Sequence, residues 1–398
     1  ISFGQEKESK NYFRNPLNIP SVVAGTFGEL RSNHFHAGID LKTQGKEGLK
    51  VFATANGFIS RIKVAQFGYG KTIYISHPNG YTTVYAHLSK YADKIEKYVK
   101  SIQYKKENYQ TGNLFFKDGK FPVQKGDIIA YSGNTGSSGG PHLHYEIRNT
   151  KTEHILNPLI FGLYPEDTIS PVFQSLMMYA LAPHSRINNH HKSTIVSLKK
   201  IKEGHYTSDK IYASGTIGFG VRVFDRLNKA LNKNGINSLE MLVNGKRVYY
   251  HHIEKFSFAE SKFINLHIDY PYYKKYKRRY QKTFKENANK LSTYKDLTEN
   301  GKIEIKKGLN YSIEIIAKDY NGNLSSIKIP IVGKHSNKLL YQPTDTTEFK
   351  IIAGNFHKFK KENITIAIPK NTFYKDLFLD FKVEKGVAKI HTPTLPLD

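Results

Sequence analysis

The sequence has 398 residues, of which 39% are hydrophobic and 13% aromatic, a composition typical of a globular chain long enough for two or three domains. It contains no cysteine, which excludes disulfides and thiolate metal sites, and no apolar run of about 18 residues, so no transmembrane segment is predicted. The 60 basic residues against 34 acidic ones give a net charge of +26, which favours a polyanionic partner: a nucleic acid, an anionic membrane surface or a cell-wall polymer.

The chain starts with an extended lead-in over residues 1–24. Its first residue, Ile1, is not methionine, and removal of an export signal and an arbitrary sequence boundary explain this equally well. The first segment that suggests chemistry follows, because His36 and Asp40 flank Gly38. Glycine and the lack of a cap argue against a helix here. A bend at Gly38 would bring the imidazole and the carboxylate to one ion.

Strand-forming residues then predict an antiparallel meander. One predicted hairpin joins residues 49–55 to residues 58–62 through Asn56-Gly57, a dipeptide typical of tight hairpin turns. A second predicted hairpin joins residues 72–76 to residues 81–85.

His87 lies just after the last of these strands, and beyond it the periodicity changes. Apolar residues recur at helical spacing from Tyr91 to Ile102, which predicts a helix. Two apolar runs, at 114–116 and 121–123, then predict a hairpin. We expect this insert, from the predicted helix to the predicted hairpin, to form one wall of a groove. A simple excursion over the surface explains it equally well.

A second histidine segment begins at His142 and alternates strictly. His142, His144 and Glu146 share one face of the predicted strand, and the apolar residues between them share the other. Two imidazoles two residues apart on one face converge on one volume of space. With the groups around Gly38, they provide what a catalytic zinc needs, namely three protein ligands and a fourth position for water.

Together these motifs resemble the LytM/lysostaphin-type zinc endopeptidases, which cleave peptide bonds in bacterial peptidoglycan. The family pattern is H-x-x-x-D, then a histidine at a strand end, then H-x-H. In this sequence the three parts are His36 to Asp40, His87, and His142 to His144. The resemblance covers about residues 25–160, and three separated motifs in the correct order make it specific.

The resemblance implies that His36, Asp40 and His144 bind Zn²⁺ and that His142 and His87 are catalytic. We expect His142 to abstract a proton from the attacking water. His87 would orient that water or stabilise the oxyanion, and a purely structural histidine is the alternative for it. Glu146 is a candidate for a hydrogen bond to a ligand.

The predicted fold class is mainly β, with an antiparallel-sheet zinc peptidase domain at 25–165 followed by one or more immunoglobulin-like β-sandwich domains. Short predicted strands, one of them at 263–268, and Asn-Gly turns place such a sandwich at 172–335. Residues 272–290 form a basic, tyrosine-rich, helical insert in it, either a solvated helix face or a contact to an anionic envelope polymer. Residues 336–398 are predicted to form a small β domain that need not be complete.

The remaining histidines suggest no site of their own. His34 is expected to be solvated, and His77 lies in a predicted turn and is expected to face solvent. The adjacent pairs His190-His191 and His251-His252 are expected at the surface, because neighbouring strand residues point apart and chelate poorly.

The function that the resemblance implies is a zinc-dependent endopeptidase that hydrolyses peptide bonds in peptidoglycan stem peptides or crosslinks. Its partner would be peptidoglycan, with no nucleic acid expected, and its location periplasmic or secreted. A catalytically inactive relative that binds peptidoglycan or activates another hydrolase is the first alternative. A nucleic-acid-binding protein that uses the basic insert, and a zinc peptidase acting on glycine-rich proteins, are the others.

Overall fold

The computed structural model describes residues 11–163, 165–228, 230–334 and 347–392. The chain is mainly β, as predicted, with five sheets and a few short helices in these residues. None of the described helices combines the length and the apolar character that crossing a membrane requires.

The first part of the chain holds the residues that the sequence motifs single out. Its elements are β1 (Val23–Gly25), β2 (Ile39–Lys42), β3 (Lys50–Phe52), β4 (Gly57–Val64), β5 (Lys71–Ser76), β6 (Tyr81–Ala86), β7 (Lys90–Tyr91), α1 (Asp93–Lys106), β8 (Gly112–Phe115), β9 (Pro122–Val123), β10 (Ile128–Tyr131), β11 (His142–Asn149), β12 (Ile155–Leu156) and a 3-10 helix (Pro158–Phe161).

One antiparallel sheet organises this part. Its strand order is β1-β2-β11-β6-β5-β4-β8, with β12 beside β11 and β9 beside β4. A smaller sheet, β3-β10-β7, packs against it. Fully buried Ile39, Tyr85 and Tyr145 lie in the shared core, so the apolar face of β11 is buried as its alternation predicts. The predicted hairpin of β5 and β6 and the predicted helix α1 are confirmed.

Two other predicted hairpins are wrong. β3 pairs with β10 rather than with β4. Gly57 belongs to β4, where a Cβ atom would overlap the carbonyl oxygen of Ser76, so this glycine permits close strand approach rather than a turn. β8 and β9 do not pair with each other either, because each pairs with a different stretch of the long strand β4.

The second part is also built mainly from strands. Its elements are β13 (Val172–Ala180), β14 (Arg186–Ile187), β15 (Thr194–Val196), β16 (Lys199–Lys202), β17 (His205–Thr207), β18 (Ile211–Phe224), β19 (Ser238–Val243), β20 (Lys246–His252), β21 (Lys255–Phe256), α2 (Phe258–Ser261), α3 (Ile264–His267), α4 (Tyr270–Tyr276), β22 (Gln281–Lys282), β23 (Tyr294–Leu297), a 3-10 helix (Glu299–Gly301), β24 (Ile303–Ile305), β25 (Asn310–Lys318) and β26 (Leu324–Gly333).

These strands form a branched sheet in the order β15-β13-β18-β26-β25-β19-β20-β23, around a core of their own. The predicted turns at Asn244-Gly245 and Asn321-Gly322 are confirmed, since they join β19 to β20 and β25 to β26. Asn244 and Gly245 both have positive φ, as a tight hairpin requires. An immunoglobulin-like fold for this part stays a prediction.

The secondary structure predicted between residues 257 and 290 is partly wrong. A strand was expected at 263–268, but α3 lies there, following a helical course that starts with a capping box at Ser257. Of the helical insert predicted at 272–290, only the start is helical, because α4 ends at Tyr276 and β22 then pairs with β18.

The second part packs directly against the segment that carries His36. The ring of Phe256 lies 5.2 Å from that of Phe27 and 5.6 Å from that of Phe35. The Phe35 amide donates a hydrogen bond to Ser261 Oγ at 2.9 Å, and β12 pairs with β21. The position of the first motif is therefore set by both parts of the chain.

A third part occupies residues 347–392. Its strands are β27 (Phe349–Ile351), β28 (His357–Lys361), β29 (Ile364–Ile368), β30 (Leu377–Glu384) and β31 (Val387–His391). They enclose a small apolar cluster of their own. The predicted lead-in at 1–24 falls partly outside the described residues, as do both ends of the predicted domain at 336–398.

Candidate metal centre

Two adjacent strands place the first and last motifs side by side. Asp40 in β2 and His144 in β11 are direct partners across an antiparallel pair, so their side chains emerge next to each other. His36 lies just before β2, and the chain reaches the sheet through Gly38. A Cβ atom at Gly38 would overlap the carbonyl oxygen of Tyr145, so only glycine allows this close approach.

Three donor atoms meet at this point. His36 Nε2 lies 3.0 Å from Asp40 Oδ1, His144 Nδ1 lies 2.9 Å from the same oxygen, and the two nitrogens are 3.1 Å apart. All three residues are buried, and their donor atoms lie within 4.8 Å of one another. The structure thus brings together the three residues predicted as ligands.

The outer nitrogens of both imidazoles are held by acceptors. His36 Nδ1 donates to the carbonyl oxygen of Thr26 at 2.8 Å, so its Nε2 lone pair faces the centre. His144 Nε2 lies 2.9 Å from Glu146 Oε1, which leaves Nδ1 directed at the same place. Two nitrogen lone pairs and a carboxylate oxygen directed at one point form a donor set that fits a zinc ion.

The charges around His144 support the same conclusion. Although burial opposes it, the hydrogen bonds that His144 donates to Asp40 and Glu146 raise its pKa to about 9. Burial by itself would raise the pKa of Asp40. The neighbouring His36, His142 and His144 outweigh this effect and hold the pKa of Asp40 well below its usual range. Without a metal, protons therefore balance the negative charge that a cation would otherwise balance.

Glu146 is fully buried and connects the centre to further polar groups. Arg148 donates to Glu146 Oε2 at 2.6 Å, and the Tyr69 hydroxyl donates to Oε1. Against the effect of burial, Arg148 and His144 lower the pKa of Glu146 to about 2. The carboxylate is thus ionised and fixed in place, and the predicted hydrogen bond from Glu146 to a ligand is present.

His87 and His142 lie beside the three donor residues, with ring centroids 4.7 Å apart. His142 Nδ1 lies 2.8 Å from the carbonyl oxygen of Gly140, and its Nε2 lies 3.5 Å from Asp40 Oδ1. His87 Nδ1 lies 2.8 Å from the carbonyl oxygen of Thr135. Because a carbonyl only accepts, each ring is protonated at Nδ1, which leaves its Nε2 as an acceptor. Burial and then His144 lower the pKa of His87 to about 4.

Sequence reasoning missed two residues at this site. Arg31 Nη2 lies 3.2 Å from Asp40 Oδ2 and 2.8 Å from Glu29 Oε2, and Tyr69 binds Glu146 as described above. Neither belongs to a spaced motif. Arg31 follows the lead-in and reaches the site only because that segment folds back over β2, so spacing alone gave no signal for it.

Two histidines predicted at the surface are buried instead. His77 hydrogen-bonds the carbonyl oxygen of Asn56 and the hydroxyl of Thr83, both at 2.8 Å. His251 stacks on His267, with ring centroids 4.3 Å apart. Both predictions are wrong because the neighbouring segments fold over these side chains, which a local pattern does not show. His34 is exposed, as predicted.

Comparison with known families agrees with this geometry. Residues 34–104 and 109–158 match the family model described as Peptidase family M23. Residues 34–158 are therefore similar to the M23 peptidases, and we refer to this region as the M23 domain. This confirms the resemblance to LytM/lysostaphin-type enzymes, and the M23 domain contains the three donor residues and both further histidines.

Several curated relatives match the same region. An uncharacterized metalloprotease of Haemophilus influenzae is 32% identical over 152 residues, 36% of this chain. The DD-carboxypeptidase/endopeptidase Mpg of Neisseria meningitidis is 35% identical over 150 residues, also 36% of this chain. The peptidoglycan DD-endopeptidase ShyC of Vibrio cholerae is 28% identical over 145 residues, 34% of this chain. The matches cover only 26%, 28% and 27% of the three relatives.

Two solved structures also align with part of this chain. The catalytic domain of lysostaphin from Staphylococcus simulans is 24% identical, with 36% of this chain and 93% of that domain covered and a TM-score of 0.27. The catalytic domain of the M23 protein EnpA from Enterococcus faecalis is 23% identical, with 38% and 98% covered and a TM-score of 0.28. Scores this low carry no weight for fold or function.

Proposed function

We propose that this protein is a zinc-dependent endopeptidase that hydrolyses peptide bonds in peptidoglycan stem peptides or crosslinks. The observation that carries the proposal is the meeting of His36, Asp40 and His144 within 4.8 Å, with His87 and His142 alongside. The names of two relatives, a DD-carboxypeptidase/endopeptidase and a peptidoglycan DD-endopeptidase, support peptidoglycan as the substrate.

His36, Asp40 and His144 would hold the zinc ion. When bound, zinc would supply Lewis-acid chemistry, polarising the scissile carbonyl and lowering the pKa of a water molecule. The protein's own contribution is orientation: Thr26 and Glu146 hold the outer nitrogens of the two imidazoles. Such outer partners fix ring orientation and raise ligand basicity.

We assign proton abstraction to His142. Its Nδ1 is held by Gly140, and its Nε2 faces the donor set, so it accepts a proton from an attacking water and later returns it to the leaving amine. His87 has the same tautomer through Thr135, which makes its Nε2 an acceptor. This favours a role for His87 in orienting the water, since stabilising an oxyanion would need a protonated nitrogen.

The proposal is tested by measuring zinc content and by mass spectrometry of purified peptidoglycan after digestion. We expect about one zinc per chain at this site and new peptide ends for the wild type, and neither for His36→Ala. His190→Ala is the matched control, because His190 is exposed and lies outside the M23 domain. Stoichiometric zinc without new peptide ends on peptidoglycan would contradict the proposal and favour the inactive, peptidoglycan-binding alternative.

We place the enzyme outside the cytoplasm, in the periplasm or secreted, because peptidoglycan lies there. The parts at 172–335 and 336–398 are proposed to position the M23 domain on the wall or on a partner. A contact between the basic segment at 272–290 and an anionic envelope polymer stays a prediction. Digestion of glycine-rich peptides beside muropeptides would separate the proposed substrate from a protein substrate.

A further inference from the structure

Three aspartates far apart in the sequence meet between the M23 domain and the second part of the chain. Asp167 lies in the connection that follows the M23 domain, Asp225 directly follows β18, and Asp319 directly follows β25. Each offers a carboxylate oxygen, and these oxygens lie within 4.8 Å of one another. We refer to them as the three-aspartate cluster.

The cluster is buried and has no cationic partner in the described part of the chain. Asp167, Asp225 and Asp319 are 7%, 1% and 4% exposed. Among the described residues, no Lys, Arg or His side chain forms an ion pair with any of them, although the whole chain carries a net charge of +26. Three close carboxylates removed from water repel one another strongly unless something neutralises them.

Hydrogen bonds satisfy only part of the cluster. Asp319 accepts from the backbone amide and the side-chain amide of Asn323 at 2.8 and 2.7 Å. Asp167 Oδ1 accepts from the backbone amides of Ile169 and Asn228 at 3.3 and 3.1 Å. Asp167 Oδ2 and Asp225 Oδ1, by contrast, are buried and have no hydrogen-bond partner. Such orphaned oxygens are rare in folded proteins because each loses its hydration without a replacement.

All three residues line a small cavity of about 20 Å³. This space is close to that of a single ion or water molecule. Burial and the charges of Asp319 and Asp167 raise the pKa of Asp225 to about 8, and burial raises that of Asp319 to about 6. The folded protein therefore binds either protons or a cation at this place.

We propose that the three-aspartate cluster is a structural Ca²⁺ site, separate from the proposed zinc centre. Its donors are all oxygens, which calcium prefers and zinc does not. Magnesium usually keeps several of its waters and is bound by one or two carboxylates, whereas this cluster offers three. A bound calcium ion would satisfy both orphaned oxygens and offset the repulsion among the three carboxylates.

Calcium at this position would join three segments. It would tie the connection at Asp167 to the ends of β18 and β25, and so hold the second part in a fixed position against the M23 domain. Asn321 and Asn323 already donate to the backbone carbonyl of Asp167 at 3.3 and 3.0 Å, which aligns the same segments.

The test titrates the zinc-loaded full chain with CaCl₂ in calcium-free buffer, using calorimetry for stoichiometry and thermal unfolding for linkage. We expect one Ca²⁺ per chain, an unfolding midpoint that rises with calcium concentration, and a weaker response to MgCl₂. Asp225→Asn should lose the calcium response and, in calcium-free buffer, unfold at a higher temperature than the wild type, because folding no longer requires this carboxylate either to take up a proton or to stay charged beside its neighbours. Asp209→Asn, at an exposed aspartate of the same part, should behave like the wild type.

The absence of any calcium-dependent heat or midpoint shift in the wild type would overturn the proposal, as would a wild-type response in Asp225→Asn. If that variant does not fold, Asp319→Asn replaces it, and the wild-type titration alone still decides. His36→Ala should keep the full calcium response, so failure of the zinc proposal and failure of the calcium proposal give different results.

Discussion

The proposed zinc centre and the three-aspartate cluster both collect three buried donor residues within 4.8 Å, but they balance charge differently. At the zinc centre one carboxylate faces two imidazoles, and the outer nitrogen of each ring is held by a further acceptor. At the cluster three carboxylates face one another, and two of their oxygens have no partner.

This difference shows how donor chemistry selects a cation. Nitrogen donors fixed in one tautomer suit zinc. When metal is absent, a proton on an imidazole balances the charge of the neighbouring carboxylates. An all-oxygen set suits a hard cation and leaves a larger unbalanced charge in its absence. The two sites therefore respond to different metals and different substitutions, and the following predictions test that separation.

Replacing one aspartate of either site by asparagine should have the largest effect on metal binding. Asp40→Asn should abolish zinc binding and peptidoglycan cleavage, because the ligand loses its charge, while the calcium-dependent shift of the unfolding midpoint remains. Asp319→Asn should abolish the calcium-dependent shift of the unfolding midpoint, while zinc binding and peptidoglycan cleavage remain. Zinc content, muropeptide analysis and thermal unfolding of both variants check this prediction. Loss of both metals in either variant would contradict the independence of the two sites.

His142→Ala separates catalysis from metal binding. We expect turnover to fall by about 10²–10⁴-fold, the range for removal of a general base, with zinc content unchanged. Initial rates on purified muropeptides and metal analysis provide the measurement. A fully active variant would contradict the assignment of the base.

Glu146→Gln tests the buried hydrogen bonds behind the zinc centre. Zinc affinity should fall by about 10–100-fold, because His144 loses its anionic partner. Stability should fall by about 3 kcal/mol, because the Arg148 guanidinium stays buried without its main counter-ion. Competition with a zinc chelator and denaturant unfolding measure the two effects, and Glu153→Gln, at the exposed second partner of Arg148, is the control.

Acid sensitivity is expected to have a source outside both sites. Burial lowers the pKa of His77 to about 4 from an ordinary value near 6.5. The unfolded chain therefore binds a proton before the folded one does, so stability is full above pH 6.5 and falls as the pH drops towards 4, by on the order of 3 kcal/mol. In metal-free protein, His77→Gln should unfold with a shallower dependence on pH over this interval. An unchanged slope would assign the acid sensitivity to other groups.

The two sites also differ in how far the sequence predicts them. The proposed zinc ligands were predicted from the family resemblance and its spaced motifs, and the pairing of β2 with β11 brings Asp40 and His144 together. The three aspartates are separated by 58 and 94 residues and meet only after β18, β25 and the connection at Asp167 have assembled.

Predictions from short sequence patterns were also wrong elsewhere, because contacts between distant segments determine the structure there. Asn-Gly predicts the turn at Asn244-Gly245 correctly but not the one at Asn56-Gly57, where the closeness of Ser76 determines the need for glycine. His77 is buried because neighbouring segments cover it, although it sits in a short connection between β5 and β6. Chain-local chemistry thus predicted strands and ligands, whereas contacts between distant segments decided pairing partners and burial.

The packing of Phe27 and Phe35 on Phe256 has a practical consequence. A shortened fragment that stops near residue 165 would uncover these rings and leave the outer edge of β12 without a neighbour. Such a fragment would be prone to self-association and would support His36 poorly. Recombinant production of this M23 domain therefore calls for the following β part to be kept in the same polypeptide.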